Sequence, residues 1–365
     1  MSTDLHHWLA LKQVFGVGAI LSKRLIDTFK TPEAVFSATE ESLWAVEGIT
    51  QRVAKNILTF NAFDDMKREI EKIEKGGVTL LTLTDPLYPP RLAMIDDPPL
   101  VLYAKGVGIG LDIYNIAIVG TRNITPYGRS VTEQIGSGLA RAGITVVSGL
   151  ARGIDAVAHQ SALTAGGRTV AVLGCGIDQI YPPEHRKLYD QIMQQGLIFS
   201  EFPMGEIPNP HNFPQRNRII SGLSLGCVVI EASQKSGALI TARFALEQGR
   251  EVFAVPGSIL SETSRGTHYL IQSGAKLIEN TEGIIEELFP QMEQKTVSLH
   301  VADPPATDLA CEEKQLYQLL SMEPKHIDKI IEESLLSPSD VSYRLLEMEL
   351  KGVIRQLVGQ NYTRT

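Results

Sequence analysis

Short apolar runs rich in valine and isoleucine recur from residue 113 to residue 289. Six are plain, at 113–120, 144–149, 168–174, 197–201, 226–231 and 251–257, and 276–279 is a candidate seventh. Each run is continuously apolar rather than alternating, which predicts strands covered on both faces, as in a parallel sheet. Segments of helical length separate them, at 128–142, 155–165, 184–195 and 238–248. Strand and helix alternating over this length predict an α/β domain with a doubly wound, mostly parallel Rossmann-like sheet.

The flanks carry other patterns. Residues 1–75 read as a small all-α module in which two tight turns, Phe15-Gly-Val-Gly18 and Val46-Glu-Gly-Ile-Thr50, each precede a helical segment, at 20–29 and 51–60. This resembles a tandem helix-hairpin-helix module. A glycine turn ahead of a helix N-terminus can hold a phosphate without reading sequence; a bundle used as a protein contact would show the same turns. Residues 63–75 predict a charged helix and 78–83 a strand. Prolines at 89, 90, 98 and 99 exclude a central strand there, and 100–103 is expected to add an edge strand. The Rossmann-like domain is therefore expected over 76–289, a linker over 290–308, and a winged-helix-like domain over 309–365, with helices at 312–320, 326–333 and 339–351 and a hairpin after 353. That last domain holds 7 Lys/Arg against 9 Asp/Glu, with one arginine, Arg344, on its third helix, so a protein-binding or accessory role fits it better than DNA readout.

A doubly wound sheet binds its ligand at the carboxyl ends of its strands. Gly120-Thr-Arg122 follows the first run, Ser148-Gly-Leu-Ala-Arg152 closes the second, a long loop after the fourth leads to Phe213-Pro-Gln-Arg-Asn-Arg218, and Ser236-Gly-Ala-Leu-Ile-Thr241 follows the fifth. On one rim, Arg122, Arg152, Arg216 and Arg218 would neutralise phosphate. Asn217 would add an amide and Phe213 a stacking face. Ser148, Gly149, Ser236, Gly237 and Thr241 would supply N–H and hydroxyl donors at turns and a helix start. Several arginines beside one aromatic suit a single strand, whose bases are free to stack.

Composition narrows this little. The net charge of −8 speaks against nucleic acid, yet residues 113–289 carry 14 Lys/Arg and 15 Asp/Glu, so local placement decides. Cys175, Cys227 and Cys311 lie far apart and read as core residues of a reducing compartment. The start lacks a basic region followed by an apolar run, and no apolar stretch is long enough to span a bilayer, so a cytoplasmic protein without membrane contact is expected.

Cofactor and catalytic signatures are missing. The first strand ends in Gly120-Thr-Arg122, not a dinucleotide fingerprint; Gly174-Cys-Gly176 lacks the third glycine, and there is no P-loop and no H-E-x-x-H. Neither a cofactor nor a metal is expected. Asp155 and His159 stand four apart, but the readings that fit them are loop support for Asp155 and a packed or hydrogen-bonded side chain for His159.

Taken in order, Tyr88-Pro, Leu102-Tyr-Ala-Lys-Gly106, Ile118-Val-Gly-Thr-Arg122, Tyr127-Gly128, Val147-Ser-Gly-Leu-Ala-Arg-Gly-Ile-Asp-Ala-Val-Ala-His159, Gly174-Cys-Gly-Ile-Asp178, Tyr181-Pro182, Ser200-Glu201, Phe213-Pro-Gln-Arg-Asn-Arg-Ile-Ile220, Ser236-Gly-Ala-Leu-Ile-Thr241, Gly249-Arg250 and Val255-Pro-Gly257 resemble the DNA-processing protein A (DprA/Smf) family over roughly two-thirds of the chain. The resemblance implies a non-enzymatic homodimer that binds single-stranded DNA in natural transformation, protects it and helps load the RecA recombinase. The rival is a nucleoside-phosphate hydrolase of the lysine-decarboxylase-like type. Such enzymes carry a P-G-G-x-G-T-x-x-E motif, whereas here Pro256-Gly257 runs on into Ser258-Ile-Leu260, which favours binding.

Overall fold

The computed structural model describes residues 2–112, 114–296, 313, 316, 317, 319, 320, 325–334, 336–350, 354–357 and 360–364. It divides into two compact units, residues 1–292 and 293–365.

In the first unit the predicted runs form strands β1 (Thr79–Thr82), β2 (Val101–Gly106), β3 (Asn115–Val119), β4 (Thr145–Ser148), β5 (Thr169–Leu173), β6 (Leu197–Ser200), β7 (Gly226–Val229), β8 (Glu251–Ala254) and β9 (Lys276–Leu277). They make one sheet in the order β1-β2-β6-β5-β4-β3-β7-β8-β9. From β6 to β9 every neighbouring pair is parallel; β1 and β2 are antiparallel additions. Strands β3 to β7 are buried along their whole length, as their continuous apolar character requires. Ile113, the expected start of β3, lies outside the described residues. The stretch expected at the edge instead lies second from it, as β2 between β1 and β6, because the prolines end before the strand begins.

The chain winds outward from β3 in one direction through β4, β5 and β6, then returns to pair β7 on the other side of β3. The carboxyl ends of β3 and β7 therefore face a gap from which the crossovers diverge, the switch point of a doubly wound sheet.

Helices α1 (Ser2–Gln13), α2 (Ala19–Phe29), α3 (Pro32–Phe36), α4 (Glu40–Trp44), α5 (Gln51–Leu58) and α6 (Phe63–Lys75) build the amino-terminal module. They share one apolar core with β1, β2 and α10 (Arg186–Gln195). Polar contacts add to this junction: Lys12 Nζ donates to the Glu201 carbonyl, and Lys23 Nζ to the Ile95 carbonyl at 3.0 Å. Around the sheet lie α7 (Pro90–Ala93), α8 (Pro126–Arg141), α9 (Ile154–Thr164), α11 (Asn212–Leu223), α12 (Gly237–Glu247), α13 (Arg265–Gln272) and α14 (Glu282–Thr296).

Two expectations are corrected. The segment leading to Arg218 is not a loop rim, since Asn212–Leu223 is a helix, α11. Pro214 is compatible with it because it sits in the first turn, where no intrahelical N–H bond is needed. The supposed linker is helical up to Thr296, and residues 297–308 lie outside the described residues.

The second unit contains α15 (Ile327–Ser334), α16 (Pro338–Leu350) and a three-stranded sheet, β10 (Lys325–His326), β11 (Ile354–Leu357) and β12 (Asn361–Arg364), in the order β10-β12-β11. The hairpin after 353 is β11–β12, while much of the helix expected at 312–320 is outside the described residues. Leu316, Leu320, Ile330, Val341, Leu345, Met348, Ile354 and Tyr362 form its core.

Candidate nucleic-acid interface

A cleft of about 540 Å³ opens at the switch point. Gly120, Thr121 and Arg122 line it from beyond β3, Ala151 and Asp155 from beyond β4, Phe213, Arg216 and Asn217 from α11, and Ser233, Ser236, Gly237 and Thr241 from beyond β7. The floor is built from buried charge. Asp155 Oδ2 accepts from the backbone N–H of Gly149 at 3.1 Å and of Ala151 at 3.4 Å. Arg216 Nη1 donates to the Gly149 carbonyl at 2.6 Å and to the Val172 carbonyl, and Arg216 Nε to Asn217 Oδ1 at 3.2 Å. Burial raises the Asp155 carboxyl above its ordinary value, with Arg216 opposing the rise. Burial lowers Arg216 to about 10, opposed by Asp155, which leaves it a cation at neutral pH.

Above the floor stands an aromatic and cationic cluster. The Arg122 and Arg216 guanidinium carbons lie 5.6 and 5.9 Å from the Phe213 ring centroid, within cation–π range. The Tyr181 ring is 5.7 Å from Phe213 at an interplanar angle of 40°. Phe213 is half-buried, and Arg122 is exposed with no ion pair to any described residue. Across the cleft, Ser236 caps α12 by accepting from Ala238 N at 3.3 Å, and Asn217 Nδ2 reaches the Gly237 carbonyl at 3.5 Å. The first turn of α12, with its partial positive charge, thus borders the cleft.

Arg122, Phe213, Arg216, Asn217, Ser236, Gly237 and Thr241 are brought together. Four expected residues are placed otherwise. Ser148 is the last residue of β4 and wholly buried, its Oγ donating to the Ile118 carbonyl at 2.6 Å. The Gly149 N–H is already spent on Asp155, so the Ser148-Gly149 turn presents no donors to a ligand. Arg152 is paired with Glu184 at 2.5 Å and stands outside the main cleft. Arg218 is buried on another side of α11, tied to Glu201 at 2.8 Å and to Asp97 at 3.0 Å. The physical reason is helical geometry: residues two apart on a helix point about 200° from each other, so Arg216 and Arg218 cannot serve one rim.

Sequence reasoning left out Tyr181 and Lys235. Tyr181 follows β5 at a strand's carboxyl end, the position that should have drawn attention to it. Lys235 is exposed between Ser233 and Ser236, both of which line the cleft; a lysine one residue ahead of a helix-capping serine was the available signal. Asp155 and His159 take the supporting roles expected of them. Asp155 braces its loop, and His159 is buried with Nδ1 2.6 Å from Thr169 Oγ1. Among the described residues no group of three or more His, Cys, Asp or Glu is placed to hold a metal, and no helix is long and apolar enough to cross a membrane.

Fold and cleft define a doubly wound α/β protein with an open cleft at the switch point and an arginine and an aromatic ring at the cleft's mouth. The family model for DNA recombination-mediator protein A matches residues 79–289, and that for the DprA winged helix domain matches residues 300–360. The chain belongs to the DNA-processing protein A (DprA/Smf) family. It is 39% identical to protein Smf of Synechocystis over all of this chain and 99% of that one. It resembles the solved DNA processing protein A of Streptococcus pneumoniae, at a TM-score of 0.67 and 34% identity, over 79% of this chain and 99% of that one. The Helicobacter pylori protein, whose structure was described for its single-stranded DNA binding mode, aligns at a TM-score of 0.53 and 33% identity over 59% of this chain and 96% of that one.

Proposed function

We propose that this protein binds single-stranded DNA without regard to sequence, as a non-enzymatic homodimer, and that it protects incoming strands and helps load the RecA recombinase on them in natural transformation. The observation that carries the reading is the unneutralised Arg122 guanidinium beside the half-buried Phe213 ring, with Arg216 beneath them in the same cleft. A cation next to a stacking face recognises what every nucleotide of a flexible strand offers, a phosphate and an unpaired base. The S. pneumoniae and H. pylori relatives support the DNA reading. Against hydrolysis stands Asp155, the carboxylate of this cleft, which is committed to Gly149 and Ala151 N–H and opposed by Arg216.

Fluorescence anisotropy with single-stranded oligonucleotides of unrelated sequence tests the reading. Similar affinities, falling with salt and weaker for duplex, are expected. An equal preference for duplex sinks it. Release of free base from nucleoside monophosphates would favour the hydrolase instead. RecA strand exchange on strands covered by single-strand-binding protein tests loading, and sedimentation tests the dimer.

A further inference from the structure

The cleft of about 540 Å³ is of the size that holds one small ligand, about 300–1,000 Å³. A bound strand has to leave it, and the lining residues mark a way out. Arg122, Ala151, Tyr181 and Phe213 also line a small recess beside the cleft, and Arg152 closes that recess. Arg152 in turn lines a groove of about 760 Å³ bounded by α8, α9 and α10. Cleft, recess and groove are therefore consecutive.

The groove's chemistry suits a backbone in transit. Arg129 on α8, Arg152 ahead of α9 and Lys187 on α10 supply the cations, with the amides of Gln160 and Gln191 between them. Lys187 is exposed and makes no ion pair with any described residue. Among the described residues, the ion pairs of Arg129 and Arg152 are those with the solvent-exposed carboxylates of Glu133 and Glu184. Solvent screens such surface pairs, which hold only weakly, so a phosphate can displace them. None of the described residues lining the groove is a Phe, Tyr or Trp, so it would grip the backbone and leave the bases free.

We propose that this groove is the exit track of the strand held in the cleft, with Arg152 as the cation at the threshold and Arg129 and Lys187 as phosphate contacts beyond it. The proposal rests on the single-strand reading of the cleft and adds a direction and a second set of contacts.

The test is anisotropy with a short oligodeoxythymidine and a series lengthened one nucleotide at a time from either end. Affinity should rise as one end is lengthened and not the other. The double variant Arg129→Glu/Lys187→Glu should leave the short oligomer's affinity unchanged and abolish that rise. With two phosphates no longer neutralised, the slope of log affinity against log salt for the long oligomer should fall by roughly 1.4. A rise that survives in the double variant overturns the proposal. An Arg122→Glu protein that still binds the short oligomer normally would overturn the cleft reading instead, so the two failures are distinguishable. Photo-crosslinking of terminal 4-thiothymidine in the wild-type protein removes dependence on variant folding. Adducts on α9 or α10 are expected, and adducts confined to α12 or to the loop of Ser233 and Lys235 place the exit on the other side.

Discussion

The Gly149 carbonyl accepts a 2.6 Å hydrogen bond from Arg216 Nη1, and a Cβ added to Gly149 would stand 2.5 Å from the same guanidinium. The backbone at Gly149 and the side chain of Arg216 thus occupy one another's van der Waals space, and only a residue without a side chain permits it. Asp155 is coupled to both, accepting the Gly149 N–H and electrostatically favouring the charged form of Arg216. Gly149→Ala should therefore push Arg216 out of its place. Overpacking of this kind costs about 1–3 kcal/mol, to be read as a lower unfolding midpoint. Single-strand affinity should fall as well, because the displaced cation belongs to the cleft. A variant with unchanged stability and binding would show that the guanidinium has room elsewhere.

Arg122 tests the electrostatic half of the proposed function. It is exposed and lacks an ion-pair partner among the described residues, so charge reversal removes a phosphate ligand without breaking an ion pair. Arg122→Glu should weaken single-strand binding, flatten the salt slope by about 0.7 because one phosphate is no longer neutralised, and leave the unfolding midpoint near wild type. An unaltered slope would remove Arg122 from the interface.

Phe213 tests the other half. Stacking is worth about 1–3 kcal/mol per base, so Phe213→Ala should raise Kd by about tenfold at fixed salt while the slope stays as it was. Fluorescence titration at several salt concentrations separates the two behaviours. A change in slope instead of intercept would mean that Phe213 acts by holding Arg122 and Arg216, which lie 5.6 and 5.9 Å from its ring.

How far the sequence discloses this site depends on what kind of signal each residue carries. The sheet could be read because strands buried on both faces must be apolar throughout, and that leaves an unbroken run in the chain. Gly120-Thr-Arg122 and Ser236-Gly237 could be placed because the carboxyl ends of such strands share a rim. Helix α11 could not be read in the same way: its first turn contains Pro214, which reads as a loop unless the turn is recognised as the place where proline costs nothing. With the helix missed, Arg216 and Arg218 seemed to point one way. Ser148 misled for a related reason. A Ser-Gly pair suggests an open turn, but Ser148 is the final residue of β4 and its hydroxyl is bound to the neighbouring strand at the Ile118 carbonyl. Tertiary partners decide such cases, and no periodicity encodes them.

Arg218 offers a control. Its guanidinium is buried between Glu201 and Asp97, so its loss strands the Glu201 carboxylate, which is itself largely buried. Breaking a buried pair from one side costs about 3–5 kcal/mol. Arg218→Met should lower the unfolding midpoint sharply while the folded fraction keeps the wild-type salt slope. A flattened slope with unchanged stability would return Arg218 to the phosphate-binding set.

His159 sets a pH limit on this fold. The Thr169 hydroxyl donates to the Val146 carbonyl at 2.7 Å, so toward His159 it must accept, and the histidine carries its proton on Nδ1. Nε2 is buried without a partner, and protonating it would create an unsolvated cation. Burial, with the nearby charges of His185 and Arg216 adding to it, lowers His159 from its ordinary 6.5 to about 3. The folded value is the depressed one, so the stabilisation is complete above pH 6.5 and is lost as the pH falls toward 3, at about 1.4 kcal/mol per unit. By about pH 5 the loss is about 2 kcal/mol. His159→Asn keeps a donor within reach of Thr169 and cannot titrate. The wild-type protein should be the more stable at about pH 7.5, and its advantage should shrink by about 2 kcal/mol at about pH 5 when urea unfolding is followed across that range. Parallel stability curves for the two proteins would mean that the histidine takes up its proton equally in the folded and the unfolded state, its burial being relieved on protonation.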